Sequence, residues 1–103
     1  MRETAWFLTD VKDNAAISEA QPASLNQVHV VTGIYAGFSN AATAGTLTIT
    51  VGLVTVMTLR FTGQITLNGI EIPGSAGQAV SVGLNASGAG GTFGSVLLNG
   101  YTK

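Results

Sequence analysis

The residues able to do chemistry are few and lie far apart. His29 is the single histidine, and the chain has no cysteine. A metal site built on imidazole or thiolate would therefore need carboxylate ligands from distant segments. Because His29 lies in a stretch rich in β-branched residues, we predict a hydrogen-bonded structural role for it and little loss on replacement by glutamine. We predict no cofactor and no metal ion.

Two further motifs point away from catalysis. Asp10, Asp13 and Asn14 offer oxygens, but their spacing does not fit the alternating ligands of a calcium loop, so turn chemistry is predicted. Residues 88–94, "GAGGTFG", lack the third glycine of a dinucleotide-binding loop and precede a strand pattern, which predicts a hairpin loop. With one histidine available as a base near neutral pH, we predict that the protein is not an enzyme.

Charge is scarce and unevenly placed. Charged residues make up 9% of the chain, against about 25% in ordinary soluble domains. Six of the nine charges lie within residues 1–19. Four scattered basic residues do not favour nucleic-acid binding, which needs clustered positive charge. A surface so poor in charge favours association, so we predict a homo-oligomer. A neutral surface hydrated by glycine and threonine is the alternative.

Residues 46–61, "TLTITVGLVTVMTLRF", carry a single charge at Arg60. Apolar and threonine residues alternate with the period of a strand, whereas a membrane helix would show no such alternation. The pattern predicts two strands joined at Gly52-Leu53, with Leu47, Ile49 and Val51 on one buried face. No membrane partner is predicted.

Strand patterns fill the rest of the chain from residue 28 onward. Residues 28–38 are rich in β-branched and aromatic types, and residues 95–103 close the chain as a last strand. Residues 78–87 alternate, which places Val80, Val82 and Leu84 inward, and Asn68-Gly69 within residues 64–73 predicts a further hairpin. The count is about seven or eight short strands, with no segment left for a helix. We therefore predict an all-β fold, a single jelly-roll-like β-sandwich.

The charge break coincides with Pro22 in "EAQPASLNQ" (19–27), which predicts a linker. Residues 1–24 are predicted to be an N-terminal arm and residues 25–103 the β-sandwich domain. Trp6, Phe7 and Leu8 are bulky apolar residues in the arm, and we predict that they contact another subunit or a partner. Deleting the arm is predicted to leave the domain folded.

Residues 79–103, "AVSVGLNASGAGGTFGSVLLNGYTK", resemble the C-terminal part of small bacteriophage virion proteins. Such proteins end in an apolar strand, a Gly/Ala-rich turn and a final strand closing on a similar N-G-Y-T tail. The arm and first strands, "LTDVKDNAAISEAQPAS" and "VHVVTGIYAGFSNAATAGTLTI", resemble the same proteins. The resemblance covers most of the chain and implies a small β-sandwich protein on the outside of a capsid.

The function implied by this resemblance is that of a capsid decoration, or cement, protein. It would be a homo-oligomer, a trimer in preference to a dimer. It would be made in the bacterial cytoplasm, join the virion at the capsid surface and stabilise it. Its partner would be the major capsid protein, with Trp6, Phe7 and Leu8 gripping the capsid or a neighbouring subunit. The alternative is a tail-fibre or carbohydrate-recognising knob.

Overall fold

A computed structural model describes residues 4–103, and residues 1–3 lie outside the described range. The described chain forms eight strands and no helix. The strands are β1 (Thr4–Asp13), β2 (Ile17–Gln21), β3 (His29–Phe38), β4 (Ala44–Val51), β5 (Val54–Thr62), β6 (Gln64–Pro73), β7 (Val80–Leu84) and β8 (Phe93–Thr102). Within residues 4–103, no helix has the length and apolar character needed to cross a membrane.

The strands form two antiparallel sheets, with the orders β1-β8-β3-β6 and β2-β7-β4-β5. The pairs β1–β8, β2–β7, β3–β6 and β4–β5 show that the chain is one long hairpin whose two halves pair along their length. Rolling this hairpin adds the pairs β3–β8 and β4–β7. The result is the two-sheet jelly roll, and the predicted all-β sandwich of seven or eight strands is confirmed.

Alternate residues of the strands fill the space between the sheets. The buried side chains of this core are Ile17, Val31, Ile34, Ala36, Leu47, Ile49, Val51, Val80, Val82, Leu84, Val96 and Leu98. The inward faces predicted for the strands now called β4 and β7 are therefore confirmed. Both sheets use the period of two because side chains of a strand alternate between its faces.

The apex of the long hairpin is the turn between β4 and β5. Val51 pairs with Val54, and Gly52 has a φ of 60°. A two-residue hairpin with glycine in its first central position suits the twist of the flanking strands. The turn predicted at Gly52-Leu53 is confirmed.

The hairpin predicted at Asn68-Gly69 is wrong. β6 continues through both residues and pairs with β3, where Gly33 lies opposite Asn68 and Val31 opposite Ile72. The intervening residues of β6 form a bulge, and Gly69 supplies its positive φ of 67°. Pairing with β3 and packing of the β6 isoleucines against the core outweigh the local preference for a turn.

The separate arm predicted for residues 1–24 is also wrong over its described part. β1 pairs with β8 from Thr4 to Asp13, and β2 pairs with β7 from Ile17 to Gln21. Ile17 is 2% exposed and belongs to the core. Pro22 ends β2 and does not separate two domains, so the sandwich includes residues 4–24. Residues 1–3 of the predicted arm lie outside the described residues.

Candidate functional site

The β4–β5 turn places apolar side chains in solvent at one end of the sandwich. Leu53 is 102% exposed and Val54 64%. Val56 is also exposed, on the same outward face of β5 as Thr58 and Arg60, and it has no cross-strand partner where the β4–β5 pairing shifts between Ile49 and Thr50. Leu25, in the connection between β2 and β3, is also exposed. We call Leu25, Leu53, Val54 and Val56 the apolar tip.

Backbone hydrogen bonds hold this end of the molecule together. Gly52 N donates to Ala79 O at 2.9 Å, and Gly77 N donates to Gln27 O at 2.9 Å. The loop before β7 therefore links the β4–β5 turn to the connection that carries Leu25. No charged residue occurs between residues 44 and 59, so the β4–β5 part of the apolar tip is both ordered and neutral.

His29 is buried near the same end of the sandwich and hydrogen-bonds two separate segments of the chain. Its Nε2 lies 2.7 Å from Pro22 O and its Nδ1 2.6 Å from Thr102 Oγ1. Because a carbonyl only accepts, Nε2–H donates to Pro22 O, and Nδ1 shares a hydrogen bond with the Thr102 hydroxyl. The Trp6 ring meets the imidazole edge-on, with ring centroids 6.1 Å apart. Both nitrogens are occupied and the residue is 1% exposed, which agrees with the predicted structural role.

The three predicted contact residues of β1 do not share a face. Trp6 and Leu8 pack against the core of their own chain, whereas Phe7 points outward and is 67% exposed. The three side chains therefore do not form one apolar surface, because strand alternation turns two of them inward. Contact with a partner stays a prediction for all three.

A cleft opens beside Phe7 at the edge of the first sheet. It has a volume of about 390 Å³ and is lined by Ala5, Trp6, Phe7, Thr32, Asn99 and Gly100. Trp6 Nε1 and Asn99 Oδ1 are buried side-chain atoms without a hydrogen-bond partner. Both belong to residues of this cleft, and all six lining residues are uncharged.

Asp13 at the end of β1 and the neighbouring Asn14 hold a loop in place. Asp13 Oδ1 accepts from Gly91 N at 2.8 Å, and Asn14 Oδ1 accepts from Gly88 N at 2.8 Å. They tie the glycine-rich β7–β8 loop to the β1–β2 connection, so these two side chains bind a distant loop, whereas the sequence predicted local turn contacts. Among residues 4–103, no group of three or more histidine, aspartate or glutamate side chains is placed to hold a metal ion.

The apolar tip was not identified from the sequence, although a signal for it was present. The turn at Gly52-Leu53 was predicted, and a tight turn lies at the surface. Two apolar residues at such a turn, Leu53 and Val54, indicate an exposed apolar surface. Strand alternation places Val56 on the same face as Val54. The exposure of Leu25 had no comparable signal, because it depends on the path of the connection between β2 and β3.

Comparisons with known proteins add little to this picture. No family model and no curated protein matches the chain. One solved structure to which it is similar is "Carbohydrate-Binding Module CBM36 in complex with calcium and xylotriose". The two are 19% identical with a TM-score of 0.40, over 97% of this chain and 87% of that one.

Proposed function

We propose that the protein is a non-catalytic structural virion protein that decorates the outside of a bacteriophage capsid and binds the major capsid protein. The virion assignment comes from the resemblance of residues 79–103 and of the N-terminal half to small phage virion proteins. The observation that supports attachment is the apolar tip, an ordered and neutral apolar surface at the apex of the jelly roll. We therefore propose the apolar tip, rather than Trp6 and Leu8, as the surface that contacts the capsid.

The apolar tip suits attachment for two energetic reasons. Burying each exposed leucine or valine gains roughly 1.5–3 kcal/mol. The turn is already fixed by its glycine and by the hydrogen bond from Gly52 to Ala79, so little conformational entropy is lost on binding. Since no charge lies between residues 44 and 59, no ion has to leave water.

The fold alone does not choose the partner, because jelly rolls occur in viral capsid proteins and in lectins. A protein partner is favoured because the tip offers apolar side chains. A saccharide, by contrast, needs polar groups around an aromatic surface.

The test uses capsids of the phage that encodes the chain, stripped of this protein. Leu53→Ser with Val54→Ser should weaken co-sedimentation about 100-fold or more, the equivalent of losing two buried side chains. Phe93→Ser is the matched control, because Phe93 is an exposed apolar residue at the other end of the sandwich. It should bind as the unmodified chain does. Wild-type affinity in the double variant, or no binding by the unmodified chain, would contradict the proposal.

One observation favours the alternative, a carbohydrate-recognising knob. The cleft beside Phe7 combines an indole, a phenyl ring and a carboxamide, the mixture of aromatic and polar groups typical of small-ligand sites. Trp6 is the single tryptophan, so its fluorescence reports on this cleft during titration with neutral saccharides. A saturable change that Asn99→Ala abolishes, together with no binding to capsids, would replace the decoration role by this one. Trp6 also lines a second cleft with Gln27, so Gln27→Ala serves as the control.

A further inference from the structure

Four strands of the sandwich are sheet edges. They are β1 and β6 in the first sheet and β2 and β5 in the second. An edge presents unpaired backbone N–H and C=O groups, and it pairs with another strand unless length, charge, proline or a bulge prevents this.

Three of these edges are protected. β2 has only five residues and is followed by Pro22. β5 is interrupted by its register shift and carries Arg60. β6 contains the bulge opposite β3, which includes Glu71, and it ends at Pro73.

β1 differs from the other edges along half of its length. It has ten residues, and its pairing with β8 is unbroken from Thr4 to Asp13. Its charges lie in the second half, where Lys12 Nζ is 3.8 Å from Asp10 Oδ2 and Asp10 Oδ1 accepts the backbone N–H of Val11. Asp10 lies opposite the core residue Val96, so its side chain is on the core-facing side, an arrangement that blocks pairing.

The first half of β1 has none of the features that prevent pairing at a sheet edge. Thr4–Thr9 contains no charge, no proline, no glycine and no bulge. We call Thr4–Thr9 the open edge. Phe7 at its centre is 67% exposed, and the segment offers a regular, neutral strand for pairing.

We propose that the open edge pairs antiparallel with the open edge of a second copy of this chain, about a two-fold axis through Phe7. The other described edges are protected, so the second copy can contribute only its own open edge, and the contact is isologous. Such a contact closes at a dimer. The trimer implied by the resemblance to capsid decoration proteins would need a different, head-to-tail contact.

The axis through Phe7 fixes the pairs across the interface. Phe7 lies opposite Phe7 of the second copy on the outer face, and Trp6 lies opposite Leu8 on the core-facing side. The charged pair of Asp10 and Lys12 lies outside the central pairs. The two sheets become one eight-stranded sheet, and the exposed side chain of Phe7 acquires a partner. This dimer does not depend on capsid binding.

Cross-linking tests the register directly, because the chain has no cysteine and a single new one gives an unambiguous product. Cα atoms of directly opposed residues in antiparallel strands lie about 4.5–5.5 Å apart, within the range that a disulfide spans, about 4.4–6.8 Å. Phe7→Cys should therefore form a disulfide-linked dimer under mild oxidation. Thr66→Cys, exposed on the outer face of the opposite edge strand β6, should stay unlinked. Failure of Phe7→Cys to cross-link, or equal cross-linking of both variants, would overturn the proposal.

Sedimentation equilibrium provides the second measurement. The unmodified chain should have twice the 10.4 kDa mass of one chain, and Phe7→Lys should raise the dissociation constant at least about 100-fold, because two ammonium groups would face each other. Thr66→Lys should leave the dimer intact. A monomeric or trimeric unmodified chain, or equal dissociation by both lysine variants, would contradict the two-fold pairing. If Phe7→Lys loses its far-ultraviolet spectrum, the cysteine variants decide.

Discussion

Each sheet contains a pair of leucines that face the core from neighbouring strands but differ in burial. Leu47 on β4 lies opposite Leu59 on β5, and Leu98 on β8 lies opposite Leu8 on β1. Leu47 and Leu98 are completely buried, whereas Leu59 and Leu8 are only partly buried. The side chain and its direction are the same in each pair, so the position of the strand within its sheet sets the burial.

The difference separates the parts of the molecule that stabilise it from the parts that are free to bind. A central strand has a neighbour on both sides and the opposite sheet above it. An edge strand lacks one neighbour, so its side chains and backbone groups stay accessible. The apolar tip begins at the β4–β5 turn and continues on the edge strand β5, and the open edge belongs to β1. Both proposed contacts therefore lie outside the central strands.

The largest effect is expected from removing two edge strands together. Deleting residues 2–21 removes β1 and β2, takes Ile17 out of the core and exposes the sides of β8 and β7. The loss exceeds the net stability of a small domain, about 5–15 kcal/mol, so the truncated chain should show no cooperative thermal transition in circular dichroism. A wild-type spectrum with a sharp transition would show that residues 2–21 form an arm that the fold does not need, and that β1 and β2 are dispensable for folding.

The leucine pairs test the comparison itself. Leu47→Ala and Leu98→Ala should each lower the free energy of unfolding by about 3–5 kcal/mol, since each leaves a cavity in a closed site. Leu59→Ala and Leu8→Ala should cost about 1–2 kcal/mol, because a partly buried side chain has less surface to lose. Urea denaturation at one protein concentration measures all four. Equal losses within a pair would show that the position of the strand does not control burial energy.

A smaller effect is expected at His29, which lies on a central strand but ties the connection after β2 to β8. Replacing it with glutamine should cost about 2–3 kcal/mol, because Pro22 O or Thr102 Oγ1 is left without its buried partner. This exceeds the small effect predicted from the sequence. Urea denaturation gives the loss, and Trp6 fluorescence should shift because the indole packs on the imidazole.

Gln27→Ala is the control for His29→Gln. Gln27 is exposed and lines a cleft that His29 and Trp6 also line. Its cost should stay within about 0.5 kcal/mol. A loss in unfolding free energy below about 0.5 kcal/mol for His29→Gln would show that the two hydrogen bonds of His29 do not stabilise the fold.

Much of the fold could be predicted because apolar and polar residues alternate along the strands, a pattern that depends only on near neighbours in the sequence. Leu47, Ile49 and Val51 alternate with threonines, and that period alone placed them in a sheet with one buried face. The turn at Gly52 was predicted from a two-residue signal of the same local kind. Asn68-Gly69 carried an equally strong local signal but lies within a continuous strand, because pairing with β3 is a long-range interaction.

The sequence by itself determined the fold class, the period of the strands and the shortage of charge, since these depend on residue type and on neighbours a few positions away. Only the tertiary structure decided which strands are edges, that Trp6 and Leu8 pack inward while Phe7 stays exposed, and that the first 24 residues contribute two strands of the sandwich. These features depend on pairing between segments up to 98 positions apart, as between Thr4 and Thr102. Local residue preferences carry no information about such partners, because the free energy of pairing is gained only when the distant strands meet.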